Sequence, residues 1–309
     1  MRFRIGTFNA ENLFARFKFR KNVNPATVSK EGWDTNQTRF DRISGTGRTI
    51  TGAAIKALKA DILGLQEIEA LETLRRFVRL HLKGMKYPTP VLIDSHDPRY
   101  IDVALMTAPE FDITRVVTHQ YEESSPGKFI FSRDCLECWV KVNGQELPVF
   151  VNHFKSMMEG RQETMKKREM QSEQVTKILK DRFGSNPGKE AWVVLGDLND
   201  YPEADGRPSR GLAPLVGQPW IVNVIERLPA EERWTHYYKG GKAGERMKQL
   251  DYILLSRWLA ERNPDAVPYI ERRGLPLRAG LPEVKRFPGV GQNEPKASDH
   301  CPMVIELQM

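Results

Sequence analysis

Residues 297–307 read "ASDHCPMVIEL", an acid and a histidine set directly before an apolar run. The run 301–309, "CPMVIELQM", has the length and composition of a buried closing strand. Ionisable side chains rarely stand at the mouth of a core strand for packing alone, because burying one without a partner is costly. The pair Asp299-His300 therefore asks what answers it elsewhere. Several other apolar strands end in polar groups. "RFRIGTFNA" (2–10) alternates and ends at Asn9, and "DILGLQEIE" (61–69) runs into Glu67. The strand at 146–152 leads into His153 of "VNHFKS", and "AWVVLGDLND" (191–200) leads into Asp197 and Asn199. "QLDYILLS" (249–256) carries Asp251 at its head. Strand ends on one side of a sheet can converge on one pocket although they lie far apart in sequence.

Between these strands the chain shows no internal repeat and no low-complexity segment. Helical patterns occupy 49–60, 71–82 and 161–183, and further strand-like runs fall at 90–94, 101–106, 111–119 and 135–142. In the helix 161–183, Met165, Met170, Val175, Ile178 and Leu179 approximate one face, and the opposite face is rich in Lys and Arg. Residues 201–248 are loop-rich. Strands and helices mix irregularly, which argues against a simple series of βαβ units. From 15 to 48 there is a polar stretch without clear period, and a loop of that length is usually functional or mobile.

The chain has 309 residues, within the range of one large α/β domain, and a net charge of +7 that favours a polyanionic partner. The three cysteines cannot close a disulfide framework. Cys135 and Cys138, three apart on a strand, point to opposite faces and read as small core residues. No apolar segment approaches a membrane span and the first residues lack a signal-peptide core, so a cytoplasmic protein is expected.

The polar exits have a common chemistry. Asp197 and Asn199 lie two apart, so in extended backbone both address one atom, a carboxylate to orient or deprotonate water beside a neutral amide. The other reading of "GDLND" is an Asx turn. Asp251 needs a partner at the head of its strand, and His300 is the natural one, since a carboxylate orients an imidazole and holds its proton. Taken alone, Glu67 reads as a surface carboxylate at a helix start, and His153 as a satisfied core histidine. In "RYIDVALM", Arg99 suits a phosphate clamp and Tyr100 a bond to an anionic oxygen; a solvated turn after Pro98 explains both as well.

Taken in order, "TFNAENLF", "LQEIE", "RYIDVALM", "VNHFKS", "GDLND", "QLDYILLS" and "SDHCPMVIEL" resemble the endonuclease/exonuclease/phosphatase superfamily, the group of deoxyribonuclease I, exonuclease III and neutral sphingomyelinase. The resemblance runs from residue 3 to 307. It implies an α/β fold, a four-layer sandwich of two mixed sheets flanked by helices, with 1–309 as a single catalytic domain and a long insertion near 15–48. It implies that Asn9 and Glu67 hold a divalent cation, with Asp299 as a further or water-mediated ligand. Asp197 would position or activate the attacking water, and Asn199 would orient that water or the phosphate. His300, paired with Asp251, would stabilise the charged phosphate, and His153 would bind a non-bridging oxygen.

A hard cation held by few oxygens suits Mg²⁺, and Mn²⁺ would accept the same donors. The expected activity is metal-dependent phosphodiester hydrolysis by a monomer acting on nucleic acid, with DNA first. The same site would serve a small or lipid phosphoester such as a phosphoinositide, sphingomyelin or a nucleotide. A catalytically dead binding module is the reading from another class, and every expected polar position is filled against it. At the start of the stretch near 15–48, "FARFKFRK" (14–21) interleaves Phe14, Phe17 and Phe19 with Arg16, Lys18 and Arg20, suiting either base stacking or a half-buried strand with a basic outer face.

Overall fold

The computed structural model describes residues 1–14, 17–19, 38–40, 45–240 and 247–309, with backbone alone at 17–19, 38–40 and 45. Twelve strands build two sheets. In chain order they are β1 (Arg2–Leu13), β2 (Ile62–Ile68), β3 (Val91–Leu92), β4 (Asp102–Thr107), β5 (Ile113–Val117), β6 (Leu136–Val142), β7 (Gln145–His153), β8 (Val193–Asp197), β9 (Ile221–Asn223), β10 (Asp251–Ser256), β11 (Tyr269–Ile270) and β12 (Met303–Gln308). One sheet has the order β11-β12-β1-β2-β4-β3 and the other β9-β10-β8-β7-β6-β5. In each, one parallel pair sits at the centre, β1 with β2 and β7 with β8, and every other pairing is antiparallel.

Both faces of the central strands are covered, which is why β8 and β10 read as continuous apolar runs, whereas β1 alternates. Alternate residues go to different cores. Val193, Leu195, Ile253, Leu255, Met303 and Ile305 fill the space between the sheets. Val194, Tyr252 and Leu254 face the long helix α3 (Arg161–Phe183), below which Val175, Ile178 and Leu179 pack. Leu63, Leu65 and Val304 face α1 (Gly45–Leu58) and α2 (Leu71–His81). Three cores between four layers are the sandwich that the motifs implied. The sheets approach closely at Gly64, where a Cβ would stand 2.2 Å from Leu195 Cδ1.

The long elements match the sequence periodicity, and the short ones do not. The helix expected from 49 begins at Gly45, while the strands expected at 90–94 and 111–119 shorten to Val91–Leu92 and Ile113–Val117. The loop-rich span 201–248 contributes β9 to a sheet edge, and an edge strand of three residues is too short to show a period. In the first half of α3 the inward face is polar. Thr164, Arg168, Gln171 and Ser172 are buried there, while Met165 and Met170 are only half-buried. The outer face interleaves Lys166, Lys177 and Lys180 with Glu163, Glu173 and Asp181, so it is less basic than the helical wheel suggests. Cys135 and Cys138 are free, buried and on opposite sides of their sheet. Most of 15–48, including much of "FARFKFRK", lies outside the described residues; Phe17–Phe19 pairs with Thr38–Phe40.

Glu137 on β6 is fully buried and ties α3 to its sheet. It accepts from Arg182 Nη2 at 2.8 Å, pairs with His119 Nε2 at 2.9 Å, and accepts from the Trp139 indole. Burial alone would raise its carboxyl, but these hydrogen bonds outweigh it and lower the pKa from 4.5 to about 2. A lowered carboxyl contributes stability that is fully present above its unfolded pKa and is lost as pH falls toward the folded one. At pH 7 that contribution is at most about 3 kcal/mol. Glu137→Gln is expected to lower the urea midpoint at pH 7, and the gap from wild type should close between pH 4.5 and about 2. Gly196, on β8, has φ +137° and lies against β7, where a Cβ would meet the Asn152 carbonyl oxygen at 1.9 Å. Gly196→Ala should therefore cost about 2 kcal/mol or more in the same urea experiment.

Candidate active site

Strand direction explains why the polar exits meet. The parallel pair β7 and β8 ends at one edge, and β10, antiparallel to β8, begins there. The register sets His153 beside Asp197 and Asp197 beside Asp251, three side chains in a row across one sheet. The facing sheet repeats the arrangement. Asn9 on β1 pairs with Gln66 on β2, so Glu67 follows at the same edge. β12 runs antiparallel to β1, with Thr7 opposite Met303, and this brings Asp299 and His300 to that edge as well.

Asp197 is the point of convergence. It is 1% exposed. Its Oδ1 accepts from the Asn199 backbone N–H at 2.8 Å, and its Oδ2 accepts from Asn9 Nδ2 of the other sheet at 3.0 Å. The same Oδ2 lies 3.6 Å from His153 Nε2 and 3.7 Å from His300 Nε2. Burial, with Asp251 adding to it against the pull of His300, pushes the Asp197 carboxyl up to about 7. On the far side, His300 Nδ1 meets Asp251 Oδ2 at 2.8 Å, and Thr235 Oγ1 donates to the same oxygen at 2.7 Å. Burial opposes the charge on His300, but Asp251 and Asp197 overcome it and raise the imidazole well above 6.5. His153 goes the other way, lowered by burial and then by the Arg133 guanidinium. The two imidazoles are thereby driven in opposite directions, His300 toward its charged form and His153 toward its neutral one.

Glu67 has φ +62°, a left-handed conformation uncommon outside glycine. Glu11, Asn12, Tyr100 and Asn199 share it, at φ 47°, 56°, 55° and 52°. Such strain clusters where the surrounding structure must aim a side chain. Glu67 Oε2 accepts from the Asn12 backbone N–H at 2.9 Å, and Asn9 Oδ1 accepts from that of Glu11 at 3.0 Å. Glu11 in turn bonds the Asp299 N–H at 2.8 Å and Lys296 Nζ at 2.8 Å. Asp299 lies 3.7 Å from His236 Nε2, whose ring centre is 4.6 Å from that of His300. Asn9, Glu67 and Asp299 present oxygen donors only, the chemistry of a hard divalent cation. Two mixed clusters, His236/Asp299/His300 and Asp197/Asp251/His300, bring ligand atoms within 4.8 Å of one another. Asp251 Oδ1 and His153 Nδ1 are buried without a protein partner. Glu67 belongs to neither cluster; the acids and histidines gathered at this edge could hold a divalent metal.

Arg99 reaches Asn12 Oδ1 at 3.4 Å, whereas Tyr100 stands 68% exposed. Behind them is a scaffold absent from the sequence reading. Buried Asp97 pairs with Arg133 Nη1 at 3.1 Å, and Arg133 Nη2 donates to the Phe154 carbonyl at 2.7 Å. Asn199 Nδ2 donates to that same carbonyl at 3.2 Å. Arg168, fully buried in α3, holds Asp200 Oδ2 at 3.0 Å, and Arg161 holds Oδ1 at 2.7 Å. Arg161 and Arg168 belong to a helix whose polar side reads as rich in Lys and Arg, and Arg133 stands outside the strand pattern that follows it. The one signal for Asp200 was its place in "GDLND". Glu11 likewise had only its place in "TFNAENLF", and His236 and Thr235 carried no signal at all.

No curated protein matches this sequence. Solved structures do match it in fold. Truncated TDP2 from Caenorhabditis elegans aligns over 100% of this chain and 98% of its own, at 15% identity and a TM-score of 0.61. The human Nocturnin catalytic domain with bound sulfate aligns over 99% of this chain and 94% of its own, at 14% identity and 0.61. D. rerio TDP2, complexed with a single-strand DNA product, covers 100% and 99% at 15% identity and 0.58. The family model described as "Endonuclease/Exonuclease/phosphatase family" matches residues 4–277, nearly the whole chain. With that match and two mixed sheets closing on one polar edge, this chain belongs to the endonuclease/exonuclease/phosphatase family.

Proposed function

We propose that this protein is a Mg²⁺-dependent nuclease that hydrolyses DNA phosphodiester bonds by in-line attack of water. The observation that carries the chemistry is Asp197 Oδ2, which faces the Asn9 amide, His153 Nε2 and His300 Nε2 at 3.0, 3.6 and 3.7 Å. In this reading Asp197 takes the proton of the attacking water, with Asn199 beside it to orient the water or the phosphate. Asn9 holds the carboxylate in place. His300, kept cationic by Asp251, faces the charge that grows on the phosphate oxygens, where a preorganised donor acts most strongly. Neutral His153 donates to a non-bridging oxygen, and Arg99 approaches from the rim. Asn9, Glu67 and Asp299 would hold the cation, with Mn²⁺ also accepted; when bound, it neutralises phosphate charge and stabilises the leaving oxygen.

DNA as substrate rests on other grounds. The net charge of +7 suits a polyanion, and a protein of the same fold has been seen with a single-strand DNA product. Among the described residues no helix is long and apolar enough to cross a membrane.

Cleavage of supercoiled plasmid, linear duplex and single strands, with Mg²⁺, Mn²⁺ or EDTA, tests the proposal. Metal-dependent cutting is expected, and His300→Ala and Asp197→Asn should each lower kcat by about 10²- to 10⁴-fold while circular dichroism stays native. Near wild-type rates in His300→Ala would sink the assigned constellation. Loss of every DNA activity from folded, metal-loaded wild type would move the assignment to RNA or a small phosphoester. Glu67→Ala should raise the Mg²⁺ concentration needed for half-maximal rate, with activity partly recovered at high Mg²⁺ or Mn²⁺.

A further inference from the structure

A cluster of rings stands beside the site, outside the catalytic set. His96 stacks on Phe129 with ring centres 4.0 Å apart and planes 7° from parallel. Tyr121 is set across both, 5.4 Å from His96 at 71° and 6.2 Å from Phe129 at 74°. The three come from two segments, the loop before β4 and a small hairpin, Glu123–Ser125 with Lys128–Phe129, turned at Pro126-Gly127. Rings that only knit a hairpin together are normally covered. Here His96 is exposed, Tyr121 is 66% exposed, and Phe129 is half-buried.

Position decides what such rings are for. His96 precedes Asp97, whose carboxylate holds Arg133, and Arg133 and Asn199 share the Phe154 carbonyl. The loop also carries Arg99, which reaches Asn12 beside Glu67. Going outward from the catalytic edge, the groups are Asn199, Arg133, Asp97 and then the rings, with Arg99 on the same rim. The hairpin is held independently of its rings. Lys167 Nζ donates to the Phe129 carbonyl at 2.5 Å, Ile130 N–H to the Glu122 carbonyl at 2.7 Å, and Gln174 Nε2 to the Glu122 carboxylate at 3.0 Å. The platform is thus open at His96 and Tyr121, anchored by hydrogen bonds to α3, and linked to the site through Asp97 and Arg133.

We infer that His96, Tyr121 and Phe129 form a base-stacking subsite for an unpaired nucleotide flanking the phosphodiester that is cut. This rests on the nuclease reading above and narrows its substrate to single-stranded or locally unpaired nucleic acid. Every base presents a π-face, so aromatic side chains hold single strands with little sequence preference, and in a duplex those faces are already stacked. Arg99, on the loop of His96 and reaching Asn12, supplies charge for the backbone of the same strand. A protein partner is the competing occupant, and nothing in it would require the position beside the phosphate site.

Binding of a fluorescent single-stranded oligonucleotide in EDTA is compared for wild type, Tyr121→Ala, Tyr121→Trp and His96→Ala. An abasic strand of equal length, which keeps the phosphates and lacks the rings, is measured alongside. Loss of one ring should weaken single-strand binding roughly tenfold. Tyr121→Trp should restore it, and the abasic strand should bind wild type and variants alike. In turnover with Mg²⁺, KM for the single strand should rise, while hydrolysis of bis(p-nitrophenyl) phosphate, too small to span both places, stays unchanged. Unchanged single-strand affinity in both alanine variants, or equal losses on the abasic strand, overturns the subsite. If wild type hydrolyses the small diester and neither binds nor cuts any nucleic acid, the nuclease reading fails and the subsite falls with it.

Discussion

A carboxylate buried to 1% exposure at the junction of two sheets is the constraint to which the rest of this structure answers. Asp197 out of water is tolerable only if its oxygens are met, and they are met from both sheets. The Asn199 N–H comes from its own turn, and the Asn9 amide comes from a strand 188 positions away on the facing sheet. That second bond crosses the sandwich, so the sheets cannot slide without stranding a buried polar group, a loss of about 1–3 kcal/mol. Packing and chemistry here are one requirement.

The same environment drives two histidines apart. His153 and His300 each approach the Asp197 carboxylate, yet burial and Arg133 lower the first, whereas Asp251 and Asp197 raise the second. What differs is the neighbour on the other side of the ring. In the proposed reaction this would set a donor favoured as a cation and one favoured as neutral on the same phosphate before the transition state forms.

Around that centre the chain accepts local cost. Five non-glycine residues there are in left-handed backbone, Glu11, Asn12, Glu67, Tyr100 and Asn199; side-chain bonds to backbone N–H groups hold the first three, and ion pairs hold the loops of the other two. Arg168 and Arg161 clamp Asp200 just past Asn199, and Asp97 with Arg133 fastens the loop that bears Arg99 and Tyr100. A buried arginine left without its acid would be severely destabilising, so each clamp works only as a pair.

The sequence by itself determined the long strands, the three main helices and the list of polar exits, because each is written locally, in apolar period and in the residue that ends it. It also paired Asp251 with His300, since an acid at the head of a core strand needs a base. Only the tertiary structure decided which exits meet, through the register that sets His153, Asp197 and Asp251 in a row and through the facing of Asn9 across the sandwich. It alone turned Arg133 and Arg168 inward, closed His236 on His300 and stacked His96 on Phe129. Those partners lie far apart in the chain, and a charged or aromatic residue looks the same in sequence whether it faces water or a buried acid.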